Sequence, residues 1–93
     1  MTQQSEELIR RAYVNLRALK ENLHTGYVTD NSYYETFTRA LDQLEKAGAD
    51  VAEWRIYKGD YGKLEGGEIL MRIDAILMYF TIQQEKTRVG FQK

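Results

Sequence analysis

The stretch EILMRIDAILMYFTI, residues 68–82, decides the fold, because it carries apolar residues on two sides of any helix it forms. At about 100° per residue, Ile69, Ile73, Ile76, Leu77 and Phe80 make one stripe, with Leu70 beside it. Met71, Ala75, Met78 and Ile82 make a second, nearly opposite. Asp74 and Thr81 divide the two on one border, Arg72 and Gln83 on the other.

A helix that is apolar nearly all round is normally sunk in a large core, and three helices in 93 residues cannot bury one of their number on every side. The second stripe therefore needs a cover. Within the chain, the segment 49–67 offers Val51, Trp54, Ile56 and Leu64 as a lid. Outside it, a second copy can lay the same stripe against itself across a two-fold axis, or a different protein can occupy it. Burying Met71, Met78 and Ile82 contributes roughly 1.5–3 kcal/mol each, so a wet stripe is the least favourable arrangement.

Upstream, Leu8, Ile9, Ala12, Leu16, Leu19 and Leu23 recur at three- and four-residue spacing, with Tyr13 at the edge. They predict a first helix, capped by Thr2 or Ser5, that runs to about His24 and stops at Thr25-Gly26, where glycine supplies the positive φ of a C-terminal cap. Thr29 or Asp30 then caps a second helix whose stripe is Tyr33, Phe37, Ala40, Leu41, Leu44 and Ala47, with Tyr34 beside it. Gly48 ends that helix. So short a link returns the chain on itself, and the two helices form an antiparallel hairpin.

The crossover 49–67 is irregular: Asp50-Val51-Ala52-Glu53 resembles the start of a short helix, whereas WRIY alternates as a strand does. A short helix or turn ahead of a strand is the expectation. KGDYGKLEGG, with four of the seven glycines, reads as a loop, and the third helix begins near Glu68 and persists to about Lys86. The fold expected is all-α, a small helical bundle in one domain over 1–93, with 1–4 and 87–93 as frayed tails.

Thirteen basic residues against fourteen acidic leave a formal charge of -1, so no strong field draws nucleic acid or anionic lipid. Hydrophobic residues at 43% and charged residues at 29% suit a globular chain. The absence of cysteine removes disulfides, thiolate metal sites and thiol nucleophiles, and makes the cytoplasm the default compartment. No run approaches the roughly 20 apolar residues that span a bilayer, so no membrane role is expected.

Catalytic chemistry finds little to work with. Ser32, His24 and Asp30 are the one compact nucleophile, base and acid set, and Ser32 is explained as a first-turn helix residue. His24 stands where a helix C-terminus favours an imidazole, without the spacing of a metal site. GDYGKLEGGE matches neither phosphate-binding glycine pattern. No catalytic, metal or cofactor residue is assigned, and neither a cofactor nor a small-molecule ligand is expected. Asp74, midway along the most apolar helix, is either a buried acid paired with Arg10, Arg17 or a symmetry mate, or a border residue.

The alternative to protein binding is a small nucleic-acid-binding regulator of winged-helix-like outline, in which WRIYKGDYGK stacks bases while Arg55, Lys58 and Lys63 meet phosphates. Against it, the exposed face of the second helix carries Glu35, Asp42 and Glu45 beside Arg39 and Lys46, where a recognition helix needs net positive charge. The reading that results is a non-enzymatic interaction module, an adaptor, regulator or small subunit. It self-associates as a homodimer, or meets another protein, through Met71, Ala75, Met78 and Ile82.

Overall fold

The computed structural model describes the backbone of residues 3–91 and the side chains of residues 4–80. Helix α1 spans Gln3–Asn22 and α2 spans Asn31–Lys46; two 3-10 turns, Ala52–Trp54 and Lys58–Asp60, lie in the crossover; α3 spans Gly66–Phe91. The protein is all-α, a helical hairpin plus a third helix.

Asp30 caps α2. Its backbone is extended, with φ -77° and ψ 116°, and its carboxylate accepts the Ser32 N–H at 2.9 Å, satisfying one of the unpaired amides of the first turn. At the other end Gly48 takes φ 95°, a conformation that L side chains adopt only with strain, and the helix stops there. Ser5, by contrast, lies inside α1 and cannot cap it; Thr2 lies outside the described residues.

Gly26 does not close α1 with a positive φ, for among the described residues that conformation belongs to Gly48 and Gly62. Its task is tertiary. The Gly26 carbonyl accepts the Gly66 N–H at 2.9 Å, the Val28 N–H donates to the Leu64 carbonyl at 2.9 Å, and Tyr27 and Glu65 form an antiparallel bridge between these bonds. The α1–α2 link is thereby stapled to the start of α3. Gly66 must be glycine there, since a Cβ would stand 1.4 Å from the His24 carbonyl oxygen.

The core joins Ala12, Leu16 and Leu19 of α1 to Tyr34, Phe37, Ala40, Leu41 and Leu44 of α2 and to Ile69, Ile73, Ile76 and Phe80 of α3. Tyr34, expected beside its stripe, is wholly buried at its centre. Its hydroxyl donates to the Val28 carbonyl, which removes the penalty of burying a phenol, and its ring stacks on Tyr61 at 4.7 Å. α3 runs antiparallel to α1: Gly66 meets Gly26, Asp74 meets Lys20, and Leu77 lies by Tyr13.

The crossover forms no strand. Val51 and Ile56 turn inward and are buried, with Trp54 and Leu64 packed against the same core, so the alternation in WRIY reflects one-sided burial rather than strand pairing. α3 starts two residues ahead of Glu68 and continues past Lys86, so residues 87–91, expected within a tail, carry helical backbone.

Candidate interaction surface

Four sides of α3 meet four different surroundings. Ile69, Ile73, Ile76 and Phe80 face the core. On the flank toward α1, Asp74 accepts an ion pair from Lys20, Oδ1 to Nζ 2.8 Å; both side chains are about half exposed, so Asp74 is a border residue and neither Arg10 nor Arg17 is its partner.

On the opposite flank lies the crossover. The Arg72 guanidinium donates from Nη1 to the carbonyls of Trp54 and Arg55, at 3.3 Å each, and the Trp54 ring tilts against Tyr79 at 6.0 Å. Arg72 also reaches Glu68, one turn earlier, at 3.6 Å. The crossover is thus drawn toward α2 and the Arg72–Tyr79 flank. It is not a lid over the second stripe.

The fourth side is open. Met71 is 72% exposed and Met78 64%, with Ala75 half-buried between them; the side chain of Ile82 lies outside the described residues. Among the described residues, the other large apolar side chains exposed to a similar degree, Val14, Tyr27 and Tyr57, stand singly on separate elements, which is ordinary for a protein surface. Met71 and Met78 instead share one helix face, two turns and about 10 Å apart.

The residues of the nucleic-acid alternative are less available. Arg55 donates to Glu45 Oε1 at 2.6 Å and to Asp42 Oδ1 at 2.5 Å, so it is held against α2 by two of the acids read as that helix's solvated face. Burial works against the Arg55 charge, but its hydrogen bonds to Asp42 and Glu45 and their charges outweigh this and raise its pKa above the usual arginine value. Lys58, in the second 3-10 turn, and Lys63, in the loop before α3, are exposed. Of the aromatics in that segment, Tyr61 is stacked on Tyr34 and bonded to the Thr38 hydroxyl at 2.8 Å, and Trp54 is half-buried; Tyr57 stands free in solvent.

Ser32 lies in the first turn of α2 with its N–H on Asp30, a capping geometry that accounts for both residues, and His24 is exposed just beyond α1. Hydrogen bonds from the Ser32 backbone and side chain hold the Asp30 carboxyl below its usual pKa, against a small opposing effect of burial. Between α1 and α3 a groove of about 440 Å³ is lined by Tyr13, Arg17, Lys20, Glu21 and Leu77. Its cations are engaged, Arg17 over the Tyr13 ring at 5.7 Å and Lys20 on Asp74.

Among the described residues no three His, Asp or Glu side chains gather as a metal site, and no helix is long and apolar enough to cross a membrane. Reading the sequence missed the parts of Lys20 and Arg72, which fix the two flanks of the open face. The signal for Arg72 was its place four residues after Glu68 on a stripe border. Comparison with protein-family models, with curated proteins and with solved structures gave no significant match.

Proposed function

We propose that this protein is a non-enzymatic interaction module, an adaptor or small subunit, that self-associates through the open face of α3, with Met71, Ala75, Met78 and Ile82 as the contact residues. The observation that carries this reading is the pair of methionines, 72% and 64% exposed, on a helix whose other three sides are occupied. Methionine is unbranched and polarizable, so a face built on it adapts to an apolar partner at little steric cost. The cysteine-free chain suits the cytoplasm as the place where it works.

The stripe from 71 to 82 is about 17 Å long at 1.5 Å per residue, a narrow seam beside the roughly 800 Å² that each partner buries in a standard interface. Association is therefore weak and depends on concentration. Light scattering across a concentration series should show the mass climbing from 10.9 kDa toward twice that value, with Met78→Glu remaining at 10.9 kDa and keeping its helical circular dichroism. A wild-type chain that stays monomeric up to its solubility limit would remove self-association.

A further inference from the structure

We propose that the groove between α1 and α3 binds a small zwitterion, an α-amino acid with an apolar side chain. The site is independent of self-association, and it departs from the expectation that the chain takes no small-molecule ligand.

Tyr13, Arg17 and Lys20 follow at four- and three-residue spacing, with Glu21 one turn beyond Arg17, so all four share the face of α1 that borders Leu77 of α3. The groove they line, open on one side, holds about 440 Å³. That volume falls inside the range of roughly 300–1,000 Å³ typical of small-molecule sites. Tyr13 and Leu77 are half-buried and also line an apolar recess with Leu16, Leu44 and Ile76, so the back of the groove is apolar.

The rim is charged, and only part of that charge is matched. Lys20 Nζ lies 2.8 Å from Asp74 Oδ1, which accounts for both. Arg17 lies over the Tyr13 ring at 5.7 Å, a contact that leaves its N–H donors without an oxygen acceptor among the described residues. Glu21 has no hydrogen-bond or ion-pair partner among them either. The two do not close on each other, and a base four residues ahead of an acid is the weaker order on a helix.

The groove therefore offers one unmatched cation and one unmatched anion beside an apolar wall, while the charges of Arg17, Lys20, Glu21 and Asp74 cancel. A plain carboxylate would satisfy Arg17 and leave Glu21 facing a like charge; a plain amine would do the reverse. An amino acid answers both. Its carboxylate meets the guanidinium fork through parallel N–H donors, its ammonium meets the Glu21 carboxylate, and its side chain lies on Tyr13 and Leu77. Residues four apart on a helix have Cβ atoms about 6 Å from each other, close enough for two flexible side chains to converge on the neighbouring charges of one α-carbon.

L-Phenylalanine titrated into 15N-labelled protein should move the amide resonances of residues 13–21 and 77 saturably, with a Kd on the order of 1 mM for about a dozen heavy atoms in a half-open site. 3-Phenylpropionate and phenethylamine, which keep the ring and one charge each, should bind about tenfold more weakly. Phenylalanine should lose a similar factor on Arg17→Gln and on Glu21→Gln, exposed positions whose replacement should leave the helical circular dichroism unchanged. Absence of saturable shifts in these residues at about ten times the expected Kd would overturn the site. Equal binding by either single-charge analogue, or by either variant, would overturn recognition of a zwitterion there.

Discussion

Arg72 holds Trp54 by its backbone: the guanidinium on α3 donates to the Trp54 carbonyl at 3.3 Å, and from the same nitrogen to the carbonyl of Arg55. The crossover is thereby fixed to one flank of the helix, clear of the methionine face. Arg72→Met keeps the aliphatic stem and deletes the donors, and should cost about 1–2 kcal/mol in urea denaturation. Trp54 is the single tryptophan, so its emission should shift to the red as the crossover loosens. An unchanged midpoint together with unchanged emission would mean that the crossover is held by other contacts.

Gly66 separates a tight backbone approach from ordinary loop tolerance. Gly66→Ala drives a Cβ into the His24 carbonyl and should cost about 3 kcal/mol, since neither backbone can yield without breaking the staple between the α1–α2 link and α3. Gly59→Ala, where a Cβ meets nothing within 4 Å and φ is not positive, should be near neutral. Equal melting temperatures for the two variants would contradict this packing of the link.

The Asp30 cap gives folding a pH dependence of definite sign. Its pKa is lower in the folded chain than in the unfolded one, so the stability it adds is fully present above the ordinary carboxylate pKa and is lost as pH falls through the lowered folded value. Asp30→Asn, which can still accept from Ser32 N–H, should retain the cap and flatten that acid limb of the melting curve; Asp30→Ala should lower Tm at neutral pH. A wild-type acid limb that survives in Asp30→Asn would assign it to other carboxylates.

Peroxide offers a chemical probe of the proposed interface. Each exposed thioether of Met71 and Met78 takes one oxygen atom from hydrogen peroxide, giving sulfoxide and water, and becomes polar. Treated protein should carry one oxygen on each of Met71 and Met78, assigned by peptide mass apart from the third methionine, Met1, keep its helical circular dichroism and lose self-association. Oxidised protein that still dimerises at the untreated concentration would exclude the methionines from the contact.

What was legible in the sequence was local. Asp30 and Gly48 bracket α2 as read, and the two stripes of α3 separate as the wheel places them, because caps and helical periodicity are set within a turn or two. What escaped were relations of height and approach between elements. Gly26 looked like a helix stop until its carbonyl was seen on Gly66, and the partner of Asp74 was Lys20 because the antiparallel run of α1 and α3 brings those two level. The strand-like WRIY failed for a related reason: Arg55 is extended, φ -65° and ψ 145°, yet it is drawn to α2 by two carboxylates and has no neighbouring strand. Tyr34 moved from edge to centre once Tyr61 and the Val28 carbonyl supplied its partners.

The separation of α3 into a face the core uses and a face it does not has an evolutionary consequence. Ile69, Ile73, Ile76 and Phe80 are constrained by their neighbours in three dimensions, whereas positions 71, 75 and 78 can exchange one apolar or polar group for another with little effect on folding. If this face is the contact proposed above, changes of partner or of affinity can accumulate at these positions one substitution at a time. The same helix is a constrained strut on one side and a freely variable surface on the other.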